Sequence, residues 1–451
     1  MQIIIVGCGN VGATLTEQLS KEGHNIAVID TDAQRAESVA NRFDVMGVVG
    51  NGASFNVQKE AGIEDADLLV AVTTSDELNL LCCLIARKTG GCNTVARVRN
   101  PIYNREIGYI KEELGLSMVI NPEYAAASEI ARLLKFPSAI KVDSFAKGRV
   151  ELLQYKIGQG SVLSGQPLTY ISSGLHCDVL ICSVERGDEV YIPSGNFELQ
   201  EKDVITMVAS SKKANEFFRK IGMATNRIKN CMIVGGGETT YYLAKQLLPM
   251  GISIKIIEQN KERCNELSDL LPQAMIIHGD GTERNLLYEE GLLQAHSFVS
   301  WTSLDEENIM LSLFAQSVSK AKTITKVHRI DYDEIIDKLD LGSVLYPKNI
   351  TAEYILQYVR AMQNSIGSNV ETLYRLIDGK VEALEFRVRE HSELVGVPLK
   401  ELQLKENLLI ACINRRGVII TPGGQDTIEV GDTVAVVTTN QGFHDLRDIL
   451  K

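Results

Sequence analysis

The stretch Met1-Gln-Ile-Ile-Ile-Val-Gly-Cys-Gly-Asn-Val-Gly12 decides the fold. Residues 3–6 are a short apolar run of strand type, and Gly7, Gly9 and Gly12 follow on a G-x-G-x-x-G spacing. The three glycines have different physical roles. Gly7 permits a tight turn, Gly9 lets a pyrophosphate approach the backbone, and Gly12 lets the next helix pack closely on the sheet. The helix start at Asn10 and Val11 offers phosphate oxygens backbone N–H groups that have no partner inside the helix. A second apolar run, 25–29, leads to Asp30, where a carboxylate can accept hydrogen bonds from adenosine ribose hydroxyls. An acid there disfavours a 2′-phosphate, so NAD(H) or an adenine nucleotide is expected in preference to NADP(H). Glycines alone would be a weak signal. With strand, helix and acid in place, a nucleotide cleft is the leading expectation, against a domain that keeps the turn only for packing.

The rest of the chain sets bounds on that reading. Its 451 residues suggest three or four domains, and 45% hydrophobic with 23% charged residues is ordinary for a globular protein. A formal net charge of -12, with no Lys/Arg cluster to offset it, argues against a nucleic-acid partner held through its phosphates. The longest apolar runs, such as 68–72 and 434–437, are of strand length and too short to span a bilayer as helices. The first core strand starts so close to Met1 that no signal peptide is expected. Nine cysteines occur without a C-x-x-C pair, and Cys8, Cys82, Cys83, Cys231 and Cys412 sit in glycine or apolar runs, as reduced, packed thiols of a cytoplasmic protein do. The seven histidines are scattered, without metal-ligand spacing.

After Asp30 a helix is expected over 32–42, capped by Thr31 or Asp32, and then a strand over 45–49 that ends in Gly50-Asn51-Gly52. That turn falls at the carboxyl edge of the sheet, where open α/β folds place ligands. A strand over 66–72 runs into Thr73-Thr-Ser-Asp-Glu77, with Thr73 beside the adenine or ribose position and Asp76 as the candidate cap of a helix over 78–89. A fifth strand, 94–98, brings Arg97 and Arg99 to its end, as candidates for reaching phosphates or an acidic partner surface. A helix over 102–114, a short apolar segment at 118–120 and a helix over 123–134 complete the unit. From Pro137 the chain becomes strand-rich for about 80 residues, as a small α+β domain would.

The whole pattern then recurs. Gly7 and Asp30 find counterparts at Gly235 and Glu258, an offset of 228 in both cases. Gly279-Asp280-Gly281 answers Gly50-Asn51-Gly52, Thr302 answers Thr73, Asp305-Glu306 answers Asp76-Glu77, and Lys326-Val-His328 answers Arg97-Val-Arg99, all at an offset of 229. The small domain repeats as well, with Gly396-Val-Pro-Leu399 matching Gly165-Gln-Pro-Leu168. The expected fold class is therefore α/β: a tandem duplication of a Rossmann-like doubly wound parallel sheet domain followed by a small α+β domain. The domains are expected at 1–136, 137–224, 225–364 and 365–451. The copies differ at one informative place. Thr240 replaces the third glycine, which should push the second helix outward, and Glu258 is one methylene longer than Asp30. Tighter nucleotide binding is expected in the first cleft, and the second half is either a site of weaker or different nucleotide preference or an empty structural copy.

These motifs resemble the TrkA family, the NAD-binding regulatory subunits of Trk-type potassium uptake systems. The likeness rests on Ile3-Ile-Ile-Val-Gly-Cys-Gly-Asn-Val-Gly12, Val28-Ile-Asp30, Gly50-Asn-Gly52, Val72-Thr-Thr-Ser-Asp-Glu77 and the tandem arrangement of RCK (or KTN) units, each followed by a TrkA C-terminal unit. The resemblance implies that Gly7, Gly9, Gly12, Asp30, Asn51 and Thr73 line a nucleotide cleft with Arg97 nearby, and that Gly235, Gly237, Glu258, Asp280 and Thr302 hold the corresponding places in the second half. It implies NAD(H) as ligand with ATP and ADP as competing effectors, and a non-catalytic role. It also implies self-association into a dimer or tetrameric ring under a TrkH/TrkG-type membrane potassium transporter, at the inner face of the plasma membrane. Two rivals stay open: a dehydrogenase, for which His24, His176 and His391 offer no convincing acid–base partner, and a scaffold that binds nothing.

Overall fold

The computed structural model describes residues 1–145, 150–223, 228–327, 336, 339, 341–364, 370–376, 380–389, 393–440, 442–443 and 445–451. Its first sheet is built from Gln2–Val6 (β1), Asn25–Asp30 (β2), Met46–Val49 (β3), Leu68–Ala71 (β4), Asn93–Arg97 (β5) and Met118–Ile120 (β6). All pairs are parallel, in the order β3-β2-β1-β4-β5-β6. That order reverses direction between β1 and β4, which opens a crevice at their carboxyl ends. The core strands are apolar on both faces, with Ile3, Ile4, Ile5, Leu68, Leu69 and Val70 fully buried, as a sheet covered by helices on both sides requires.

Three local expectations need correction. The segment 118–120 is a sixth strand, in register with Val95 to Arg97, because its short apolar run pairs with the open edge of β5. The helix expected over 102–114 breaks into Pro101–Arg105 and Ile107–Glu113, and the Tyr103 hydroxyl turns aside to donate to Glu77 at 2.9 Å. Ser75, not Asp76, caps the helix Asp76–Thr89 by accepting from the Leu78 amide. Asp76 is buried and accepts instead from the amides of Arg99 and Asn100 at 2.9 and 2.8 Å, tying the helix start to the loop after β5.

The small sheet that follows is antiparallel and made of Lys141–Phe145 (β7), Val150–Lys156 (β8), Leu180–Arg186 (β9), Glu189–Tyr191 (β10) and Val204–Ala209 (β11) in the order β10-β9-β11-β8-β7. The second large sheet repeats the first with Asn230–Val234 (β12), Ser253–Glu258 (β13), Met275–His278 (β14), Ser297–Ser300 (β15), Lys322–Lys326 (β16) and Ser343–Leu345 (β17), ordered β14-β13-β12-β15-β16-β17. The second small sheet comprises Val370–Leu376 (β18), Val381–Arg387 (β19), Leu408–Arg415 (β20), Val418–Ile420 (β21) and Thr433–Thr438 (β22), ordered β18-β19-β22-β20-β21. The duplicated Rossmann-like architecture read from the sequence is thus the architecture of the chain.

The copies associate by kind rather than by chain order. Met1–Ala131 and Lys229–Leu356 form one compact unit, and Arg132–Ile228 and Gln357–Lys451 form another. In the second unit a single apolar cluster draws Val150, Leu152, Cys182 and Val208 from one small sheet and Ala383, Ala411 and Val437 from the other. Each small domain also carries the same internal ion pair. Arg186 grips the buried Asp203 through Nε and Nη2, both at 2.8 Å, and at the equivalent place in the repeat Arg415 grips the buried Asp432 at 3.0 and 2.8 Å. Each carboxylate also accepts a backbone amide at 2.8 Å, from Gln200 and Glu429 respectively. Removing one partner leaves a buried charge uncompensated or a buried site unfilled, so Asp203→Ala should cost about 3 kcal/mol of that unit's stability, and urea unfolding followed by circular dichroism reads the loss.

Candidate functional site

The cleft lies where the first sheet changes direction, and a carboxylate fixes its floor. Asp30, the last residue of β2, accepts the Cys8 amide on Oδ2 at 2.7 Å and the Asp32 amide on Oδ1 at 2.9 Å. The glycine loop after β1 is therefore clamped to the end of β2 before any ligand arrives. Each carboxylate oxygen still has a second lone pair to offer. Gly7 takes a left-handed φ of 103°, and Gly12 meets the loop so closely that a Cβ there would stand 1.8 Å from the Gly7 carbonyl oxygen. A Cβ on Gly9 meets nothing within 4 Å, which leaves the loop's outer face open to a ligand.

A cleft of about 400 Å³ opens above this loop, within the range of small-molecule sites. Of the residues singled out from the sequence, Gly7, Gly9, Asn10, Val11, Asp30, Thr73 and Arg97 line it. Gly12 lies behind, against the loop. Asn51 is not among the lining residues although Gly50 and Gly52 are; its Oδ1 accepts the Ala53 amide at 2.9 Å and holds the turn in shape. The corresponding second-half residue, Asp280, does the same for Thr282 at 2.8 Å.

Sequence reasoning missed the residue that positions Thr73. Asn79, fully buried in the helix Asp76–Thr89, accepts the Thr73 amide at 2.8 Å and the Thr73 hydroxyl at 2.7 Å, and it donates to the Arg97 carbonyl at 2.9 Å. Asn308 repeats this, accepting the Thr302 amide at 2.8 Å and donating to the Lys326 carbonyl at 3.2 Å. An asparagine at the same offset of 229 in both copies was the available signal. The basic residues behave alike too: Arg97 donates to the Thr73 carbonyl at 3.4 Å and Lys326 to the Thr302 carbonyl at 2.8 Å. Burial holds both cations below their ordinary pKa, and for Arg97 the nearby Arg99 adds to the effect. Arg99 turns back on the same loop, donating to the Thr74 carbonyl at 2.8 Å. Glu123 also lines the cleft, where burial raises its pKa against the pull of Arg97 and Arg99.

One wall of the cleft comes from the other half of the chain. Pro347, Lys348 and Thr351, from the first turns of the helix Pro347–Asn364, line it together with Asn10 and Glu123. The exchange is reciprocal, since the start of the helix Pro122–Lys135 lies against the second half. There Asn121 donates to the Tyr242 hydroxyl at 3.1 Å, the Tyr124 and Tyr242 rings meet edge to face at 5.6 Å, and Gln246 donates to Ser128 at 3.1 Å.

The matching place in the second half departs from the first at the third position of its loop. Glu258 clamps its loop as Asp30 does, accepting the Gly236 and Asn260 amides, each at 2.7 Å. Thr240, expected to push its helix outward, donates its hydroxyl to the Gly235 carbonyl at 2.6 Å, across the spacing that glycine closes in the first half. Gly237 precedes the helix Glu238–Leu247, and the Thr302 hydroxyl is turned onto the Leu304 carbonyl at 3.2 Å. His24 is buried against the amino terminus, His176 sits in the small domain, and His328 and His391 lie outside the described residues. Among the described residues no helix is long and apolar enough to cross a membrane.

Duplicated Rossmann-like sheets with duplicated small sheets define a class, the tandem RCK regulatory subunits, and comparison with known proteins agrees. The TrkA-N domain matches residues 3–122 and 231–347, and the TrkA-C domain matches 152–222 and 383–451. The chain belongs to the TrkA family of Trk-type potassium uptake regulators. It is 30% identical over 448 residues to the Trk system potassium uptake protein TrkA of Haemophilus influenzae, covering 98% of this chain and 96% of that one. To the TrkA homolog of Archaeoglobus fulgidus it is 32% identical over 453 residues, with full coverage of both. Among solved structures, the GsuK RCK domain shares the fold at a TM-score of 0.64 and 16% identity, over 97% of this chain and 92% of that one. The GsuK channel bound to NAD matches at 0.63 and 16% identity, over 97% and 77%.

Asn79→Ala would leave the Thr73 amide and the Arg97 carbonyl without their partner. The expected loss is about 1–3 kcal/mol for each group left unpaired. Urea unfolding measures it, as a midpoint below that of wild type.

Proposed function

We propose that this chain is the nucleotide-sensing regulatory subunit of a Trk-type potassium uptake system. NAD(H), with ATP or ADP as alternative occupants, binds in the first cleft and biases a TrkH/TrkG-type membrane potassium transporter. The potassium pathway belongs to the membrane partner, and this chain works beside it at the cytoplasmic face, self-associated as a dimer or tetrameric ring. The observation that carries the reading is the mixed origin of the cleft walls: Gly9 and Asp30 come from the first half, Lys348 and Thr351 from the second. A ligand held by both halves has a different affinity when they are apart than when they are together. That difference is what a ligand needs to shift a conformational equilibrium, since equal affinity shifts nothing.

The residues present suit the ligand. The open face at Gly9 suits a pyrophosphate, the N–H groups at the start of the helix Asn10–Lys21 suit its oxygens, and Asp30 suits vicinal ribose hydroxyls. Arg35 and Arg97 supply positive charge at the rim and Thr73 a polar edge. The GsuK channel has been solved bound to NAD and to ADP, which supports both nucleotide classes for this fold. The reading assigns binding, and no chemical step.

Calorimetry with NADH, NAD, ATP and ADP on the full chain tests it. Saturable binding is expected in wild type, with NADPH weaker than NADH. Asp30→Ala should weaken NADH by about tenfold or more, because polar contacts to the ribose lose their acceptor. Asp30→Asn, which keeps one acceptor oxygen for the Cys8 amide, controls for damage to the loop. No saturable heat with any of these nucleotides would contradict the reading. Co-purification with a membrane potassium transporter tests the partner.

A further inference from the structure

The second glycine loop already holds an anion of its own. Glu238 occupies the first position of the helix Glu238–Leu247, where the first half has the neutral Asn10. A carboxylate at that point compensates the partial positive charge of the helix end, as a bound phosphate would. Its Oε1 lies 3.0 Å from Nη2 of Arg263, an ion-pair contact outside hydrogen-bond alignment. Arg263 in turn donates through Nε to the carbonyl oxygen of Gly236 at 2.7 Å and pairs through Nη1 with Glu266 at 2.7 Å. The guanidinium is therefore stretched across the loop and held at three points.

The matching arginine of the first half behaves otherwise. Arg35, its counterpart at the offset of 228, pairs with its helix neighbour Asp32 at 3.2 Å, and its side chain is 64% exposed, against 17% for Arg263. Beneath the loop the second half is also filled more tightly. The position of Cys8 is taken by Gly236, where a Cβ would stand 2.8 Å from Leu267 Cδ1 and 3.0 Å from the Glu258 carboxylate. The longer acid and the missing side chain compensate one another, and the loop is clamped at the same 2.7 Å.

We propose that the second cleft is self-liganded: the Glu238–Arg263 pair takes the place that a nucleotide's pyrophosphate takes in the first cleft. Each chain then senses through one nucleotide, and Glu238 is the residue that sets this specificity. An entering pyrophosphate would meet a like charge at the helix end and find its guanidinium already engaged. Under this proposal Gly235, Gly237, Glu258, Asp280 and Thr302 serve the architecture of the second half rather than a nucleotide. The inference rests on the first cleft being a nucleotide site.

NADH titration of the full chain by calorimetry tests it. Wild type is expected to bind one NADH per chain. Glu238→Asn installs the first loop's residue and frees Arg263 to meet a phosphate; it should bind two, and the added site should persist when Asp30→Ala disables the first cleft. Glu238→Gln, nearly isosteric, should gain the same site. The reverse change, Asn10→Glu, should weaken NADH at the first cleft by about tenfold or more. Two sites in wild type would overturn the proposal, as would Glu238→Asn and Glu238→Gln chains that melt like wild type yet gain no site. If wild type binds nothing, the proposed function fails on its own, while appearance or absence of the new site in the Glu238 variants still decides this inference.

Discussion

A carboxylate at the end of one strand, holding the backbone amide of the neighbouring glycine loop at 2.7 Å, is the contact on which the large domains depend. In a doubly wound sheet the strand order reverses beside the first strand, and the loop leaving it must turn sharply without blocking the crevice. The left-handed Gly7 and Gly235 make the turn, and Asp30 and Glu258 fix where it points. With the loop pinned, the first helix can start directly over the crevice and aim its free N–H groups there. Everything else at the carboxyl edge is arranged around that start: the Thr73 loop locked by Asn79, the cations of β5 and β16, and the terminal helices of the opposite halves.

The two copies are built into one another. Each large domain lends its last helix to the other, through Tyr124 on Tyr242 and through Pro347 and Thr351 in the cleft that Asn10 lines. Such an exchange makes the first cleft a seam between halves. A ligand in a seam reports on how the halves sit. The small domains keep their own pairing through a shared apolar cluster, and each is braced internally by its copy of the repeated ion pair, Arg186–Asp203 or Arg415–Asp432.

The fold was largely legible because its signals are periodic and local. Apolar runs of strand length, a glycine spacing, an acid at a fixed distance and a repeat offset of 228 or 229 all survive in one dimension. What could not be read depends on partners distant in sequence. Asp76 heads a helix and so reads as its cap, but its carboxylate is taken by the amides of Arg99 and Asn100, and Ser75 takes the cap. The strand at 118–120 is very short and exists because β5 offers an open edge. Lys348 and Thr351 enter the cleft only once the halves pack, so no motif near the glycine loop announces them. Thr240 reads as a defect in the second loop, yet its hydroxyl bridges to the Gly235 carbonyl. The Glu238–Arg263 pair joins two helices of the second half, and because the first copy has the neutral Asn10 and an exposed Arg35 at the matching positions, the repeat itself gives no hint of it.

Hydrogen–deuterium exchange of the full chain with and without saturating NADH tests the central claim, that one cleft shared by both halves carries the signal. Slower exchange is expected at residues 7–12 and, with it, at the first turns of the helix Pro347–Asn364, while residues 235–240 stay unchanged. Slowing confined to the first half, or equal slowing at both glycine loops, would contradict it.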